Sequence, residues 1–131
     1  MRVKGTIISR GKAEGRVLLS KDPISFLGGV DPKTGIVIEK GHSIYGRCIS
    51  GTILVFPRGK GSTVGSYVML QLKKNGKAPA GIINVDAEPI IAVGAIISNI
   101  PMLAKLEKDP YSFLKNGMKV KVDAEEGFVE Y

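Results

Sequence analysis

One cysteine, one histidine and no tryptophan occur among the 131 residues of this chain. The lone Cys48 excludes an internal disulfide and fits a reducing cytoplasm, the location we expect. Cys48 and His42 together fall short of the usual metal-ligand sets, so no metal is expected to be held by this chain alone. No run of eighteen apolar residues is present, so no membrane-spanning helix is expected. The opening Met1-Arg2-Val3-Lys4-Gly5 lacks the apolar core of a secretory signal. Aromatics are sparse as well, with four phenylalanines and four tyrosines. They do not interleave with the cations, which argues against a base-stacking platform for nucleic acid.

What is plentiful is positive charge and glycine. Lysine and arginine number 19 against 12 acids, giving a net charge of +7. Such an excess suits an anionic partner: a phosphorylated small molecule, an acidic protein surface or nucleic acid. It equally suits a solvated lysine coat. The length fits one domain, residues 1–131, with a substantial core.

Hydrophobic patterning predicts a mixed β/α chain. Strands are expected over Val3–Ile8, Gly15–Leu19, Ile36–Ile38, Thr52–Phe56, Ala80–Val85 and Pro101–Leu103. A hairpin through Glu126-Gly127 joins Val120–Asp123 to Phe128–Tyr131. A helix is expected over Thr63–Lys74, with Val64, Val68 and Leu72 on its apolar face and Asn75-Gly76 as its stop. Pro89–Ile97 is ambiguous: its β-branched residues favour a strand, whereas Ala92, Gly94 and Ala95 permit a tightly packed helix, the reading we favour. Asp109-Pro110 opens a helical turn. Strands, then alternating strand and helix, then strands, imply layered packing that is partly barrel-like.

The chemistry-bearing stretch is Pro57-Arg58-Gly59-Lys60-Gly61-Ser62-Thr63-Val64-Gly65-Ser66, between the central strand and its helix. A strand, a glycine-rich turn and a helix start together make an anion site, because unpaired N–H groups and the positive end of the helix dipole converge there. Ser62 is the candidate catalytic residue. Its ordinary role would be a helix cap. Its chemical role would be a hydroxyl whose alkoxide is stabilised by the surrounding N–H groups and cations, which alone would let it act as a base. Arg58, Lys60 and Gly61 are candidate substrate-binding positions, with Arg58 as a bidentate fork and Lys60 as a point charge. The turn is neither a Walker loop, since Gly61 separates Lys60 from Ser62, nor a nucleophile elbow. Asp31, in Gly28-Gly29-Val30-Asp31-Pro32, is the one acid in a suspicious setting, and is otherwise a turn aspartate. His42 could be a phosphorylated residue of a swivelling carrier domain, although the Thr-Ser that precedes such histidines is missing.

Two segments carry a family resemblance. Ser25-Phe26-Leu27-Gly28-Gly29-Val30-Asp31-Pro32-Lys33-Thr34-Gly35 and Leu54–Val68, with its Pro57-Arg58-Gly59-Lys60-Gly61-Ser62 core, are similar to signatures of the small chain of the aconitase X group. The resemblance runs from about Gly5 to the end. It implies a swivelling β/β/α domain like the mobile domain of aconitase. It also implies a hydro-lyase subunit of archaeal type that removes water from (R)-5-phosphomevalonate to give trans-anhydromevalonate 5-phosphate, in a mevalonate route to isoprenoids. The resemblance further implies a large subunit carrying an iron–sulfur cluster (4Fe-4S), and assigns the proton-accepting serine to Ser62. Placement of Arg58, Lys60, Gly61 and Asp31 toward substrate is the expectation that accompanies it. A related dehydratase acting on another hydroxy acid, such as a hydroxyproline, and a basic binding module without activity are the alternative readings.

Overall fold

The computed structural model describes all residues, 1–131. Eight strands form one mixed sheet, in the order β1-β8-β7-β3-β4-β5-β6-β2. They are β1 (Arg2–Lys4), β2 (Thr6–Ser9), β3 (Lys12–Leu19), β4 (Ile53–Phe56), β5 (Gly81–Asn84), β6 (Met102–Ala104), β7 (Lys119–Asp123) and β8 (Phe128–Glu130). β3, β4, β5 and β6 run parallel, whereas β1, β8, β7 and β2 join antiparallel. Four helical elements complete the fold: a short interrupted turn α1 (Phe26–Gly29), α2 (Gly65–Lys74), α3 (Pro89–Ile97) and α4 (Pro110–Phe113).

The apolar runs of β4 and β5 are buried at every position because both faces of the parallel strands are covered. Alternation divides their side chains between two cores. Leu18, Leu54, Phe56, Ile82 and Met102 point to one side, against Val68, Met69 and Leu72 of α2 and Ile91 and Ala95 of α3. Val17, Ile53, Val55, Ile83 and Leu103 point to the other, against Val3, Val120, Val122 and Val129 of the antiparallel ribbon. The result is a ribbon layer, a parallel sheet and a helix layer, the β/β/α arrangement that the resemblance implies, with the ribbon curling back toward barrel closure.

The expected strand over Val3–Ile8 is two strands. Gly5 breaks it, its N–H donating to Gly127 O at 2.9 Å, so that β1 pairs with β8 and β2 with β6. β3 begins at Lys12, earlier than expected, because Gly11 alone makes the corner with φ 141°. Ile36 and Val37 form only isolated bridges, to Cys48 and Val30. Pro89–Ile97 is a helix, its N-terminus fixed by Glu88, whose carboxylate accepts from Ile90 N at 2.9 Å and Ile91 N at 3.2 Å. Met69 of α2 packs directly against Gly94 of α3, where an added methyl group would force the Met69 side chain to shift, so the glycine lets the two helices approach closely. None of the helices is long and apolar enough to cross a membrane.

Candidate active site

The parallel strands end at one edge of the sheet, and both long helices begin there. β4 ends at Phe56, the turn Pro57–Val64 follows, and α2 opens at Gly65. β5 ends beside it at Asn84, and α3 opens at Pro89. The N-termini of α2 and α3 are tied together by Ser66 Oγ, which donates to Ile90 O at 2.8 Å. The N-terminus of α2 therefore opens onto the turn, whereas that of α3 is occupied by the Glu88 carboxylate. Ligands of open parallel sheets bind outside this same edge.

The turn itself is fastened on three sides. Ile24 pairs with it as a short parallel bridge: Ile24 N donates to Arg58 O at 3.2 Å, and Lys60 N donates to Ile24 O at 3.0 Å. Below, the fully buried Asn84 donates through Nδ2 to Phe56 O at 3.1 Å and fixes where the chain leaves β4. On the α3 side, Gly59 lies so close to Ile91 and the Glu88 carboxylate that a methyl group there would collide with both. Gly61 has φ 88°, a left-handed conformation that turns the chain toward the helix start.

Ser62 is exposed on this fastened turn. The helix begins two residues later than expected for a serine cap, and Val64, the N-cap residue, is half exposed rather than part of the apolar face. Ser62 Oγ accepts from Val64 N at 3.1 Å, and Ser62 O accepts from Gly65 N at 3.0 Å. The local hydrogen bond is thus cap-like, yet the hydroxyl faces solvent. The backbone N–H groups of Gly61, Ser62, Thr63 and Ser66 donate to no protein acceptor. Unpaired donors at a helix start, with no acid in the first turn of α2, make this the part of the surface built for negative charge.

Both cations of the turn carry partners that the sequence did not reveal. Arg58 donates through Nε at 3.2 Å and Nη2 at 3.0 Å to the same Asp86 oxygen. Lys60 Nζ lies 2.9 Å from Glu39 Oε2. The Arg58–Asp86 pair is about half exposed on both sides, so an incoming anion can replace either carboxylate at little cost. Glu39 and Asp86 lie 21 and 28 residues from their partners, and no local signal marks them. Glu88 was legible in principle, as an acid immediately before the proline that opens a helix.

Asp31 is placed elsewhere. Its Oδ1 accepts from Lys33 N at 2.9 Å, and its loop is bound through Pro32 O to Asn75 Nδ2 at 2.8 Å, at the C-terminal end of α2. The structure brings together Arg58, Lys60, Gly61 and Ser62, but not Asp31. His42 is buried, with Nε2 2.9 Å from Pro23 O and Nδ1 accepting from Ile44 N at 3.3 Å. Both ring nitrogens are engaged, so His42 clamps the segment carrying Ile24 and offers no site for phosphorylation. Asp22, in the same segment, is held below the usual carboxylate range chiefly by the Ser43 N–H that it accepts. Cys48 is free and exposed. No three His, Cys, Asp or Glu side chains come together as a metal-binding group.

Comparison with known proteins adds the lineage. A family model described as aconitase X swivel domain matches residues 2–131. The chain is 65% identical over 130 residues to the phosphomevalonate dehydratase small subunit of Methanosarcina mazei, spanning 99% of this chain and 90% of that protein. It is 53% identical over 131 residues to the phosphomevalonate dehydratase small subunit of Methanothermobacter thermautotrophicus, spanning 100% of both. Among solved structures, it superposes with a TM-score of 0.93 and 59% identity on the crystal structure of Thermococcus kodakaraensis aconitase X in its holo-form, covering 99% and 97% of the two chains.

Proposed function

The chain belongs to the aconitase X swivel-domain family, and from that premise we propose that it is the small subunit of a hydro-lyase that dehydrates (R)-5-phosphomevalonate to trans-anhydromevalonate 5-phosphate. The observation that carries the reading is the exposed Ser62 hydroxyl on a turn whose N–H groups are unpaired and whose cations hold only surface ion pairs. The reaction breaks the C–H bond next to the substrate carboxylate and the C–O bond of the neighbouring hydroxyl, and forms the double bond between the two carbons. Ser62 Oγ, as alkoxide, takes the proton. Val64 N–H donates to that oxygen, and the positive end of α2 favours its charge, which lowers the cost of ionising a hydroxyl that is a very poor base in water. Arg58 and Lys60 exchange Asp86 and Glu39 for the anionic groups of the substrate, a phosphate and a carboxylate. The unpaired N–H groups of Gly61 and Thr63 add neutral donors for the same anions.

A 4Fe-4S cluster does not fit this chain, which has a single cysteine and no convergent donor set. In this reading the cluster, the group that would assist departure of the hydroxyl, belongs to the large subunit. The test is reconstitution with that subunit. The small chain alone should be inactive, the complex should convert phosphomevalonate, and Ser62→Ala should assemble normally while turnover falls by about three to four orders of magnitude. Wild-type turnover in an assembled Ser62→Ala complex would leave Ser62 as a cap only. Dehydration of a hydroxyproline and not of phosphomevalonate would move the chain to another substrate in the same family.

A further inference from the structure

The outer side of the helix layer carries an apolar groove that the proposed chemistry does not use. Ser66, Tyr67 and Leu70 of α2 form one wall, and Ile90, Val93 and Ile97 of α3 form the other, around a volume of about 570 Å³. Both walls follow helical spacing, so each presents a continuous stripe. Pro89 and Thr63 close its end beside the turn. α3, Pro-Ile-Ile-Ala-Val-Gly-Ala-Ile-Ile, has no charged or polar side chain on any side. A helix apolar all round is normally buried all round. Here only Ile91, Gly94 and Ala95 are buried, whereas Val93, Ile96 and Ile97 are 49%, 53% and 41% exposed, beside Tyr67 at 65%. In a chain with net charge +7, none of the groove-lining residues is charged.

We propose that this groove is the seat of an apolar ridge of the large subunit, so that the α2/α3 face forms the dry centre of the subunit interface. The inference rests on the two-subunit reading above. What selects this occupant is continuity with the site. Thr63, next to Ser62, lines the mouth of the groove, and Ser66, whose unpaired N–H belongs to the anion site, lines its wall. A partner that presents a reacting group to Ser62 must cover this surface at the same time. The absence of charge from the groove calls for aliphatic or aromatic side chains on the partner, with the cations of the turn left to the rim and the substrate.

The experiment measures assembly, not turnover, so it is separable from the proposed reaction. Val93→Asp places a charge in the centre of the interface on a side chain already half exposed in the free chain. The dissociation constant of the complex should rise by about 100-fold, with the melting temperature of the free chain nearly unchanged. On titration of labelled wild-type chain with the large subunit, methyl signals of Ile90, Val93 and Ile97 should shift, while those of Val3 and Val129 in the opposite core stay in place. The proposal is overturned if the well-folded Val93→Asp chain assembles like wild type. It is also overturned if the variant only breaks a self-association of the free chain, which would put a second copy in the groove. Should Val93→Asp fail to fold, the methyl titration of wild type decides alone, and unshifted groove methyls reject the proposal. A complex that forms through the groove yet does not dehydrate phosphomevalonate would reject the substrate and keep the interface.

Discussion

The two ends of α2 carry the two loops that sequence alone marks as suspicious, and they are built for opposite charges. At the N-terminal end, Gly61, Ser62 and Thr63 hold unpaired N–H groups and an exposed hydroxyl, with no acid in the first helical turn. At the C-terminal end, Lys73 and Lys74 complement the negative pole of the helix, and Asn75 Nδ2 holds the Asp31 loop through Pro32 O. The Asp31 carboxylate serves its own turn by accepting from Lys33 N. A glycine-rich loop with a charged residue is therefore not enough to make a site. The pole of the helix it meets decides whether an anion can be held there, because the field of unpaired N–H groups falls off within one turn.

This contrast can be broken by experiment. Among the charged and glycine positions of the two loops, the largest effect is expected at the cations. In the assembled enzyme, Lys60→Met or Arg58→Met should raise KM for the anionic substrate by roughly ten- to a hundredfold, the worth of one charge-assisted hydrogen bond. Lys73→Met, at the other pole, should leave KM unchanged. Steady-state kinetics of the three variants checks this, and equal effects at both ends would dissolve the distinction.

The glycines come next. Gly59→Ala forces a methyl group into Ile91 and the Glu88 carboxylate, and should destabilise the chain by about 1–3 kcal/mol as overpacking. Gly76, at φ 69° with open space around its missing side chain, should lose only about 1 kcal/mol when replaced by alanine, the cost of a left-handed conformation. Denaturant melts of the free chains give both values. The smallest effect is expected for Asp31→Ala. It removes one exposed turn hydrogen bond, should cost about 1 kcal/mol or less, and should leave turnover untouched.

Much of this arrangement is legible in the sequence. The strand–turn–helix around Ser62 is marked by a four-residue apolar run, by glycines at the corner, and by an amphipathic stretch ending in Asn75-Gly76. The β-branched residues of α3 favoured a strand while Ala92, Gly94 and Ala95 permitted a helix, and the structure takes the helix, with Gly94 at its crossing with Met69 of α2. Other features were hidden because they depend on distances through space. Gly5 divides one apparent strand between two neighbours only because Gly127 O lies opposite it. Val64 fits the apolar spacing of α2 but precedes its first turn and stays half exposed. Glu39 and Asp86 look like solvated acids until the fold sets them against Lys60 and Arg58. Asp31 shares a signature segment with Ser25 and Phe26, which approach Gly61 and Gly65, yet its own loop is tied to Asn75 at the other end of α2. In sequence, eleven residues read as one motif; in space, they span both poles of α2.

The central claim is that Ser62 removes hydrogen from carbon, rather than only binding substrate. The direct test is exchange of the hydrogen next to the substrate carboxylate with deuterated water, followed by NMR in the assembled enzyme. The account predicts exchange with wild type and with Asp31→Ala, and none above background with Ser62→Ala at saturating substrate. Undiminished exchange by the Ser62→Ala complex would contradict it.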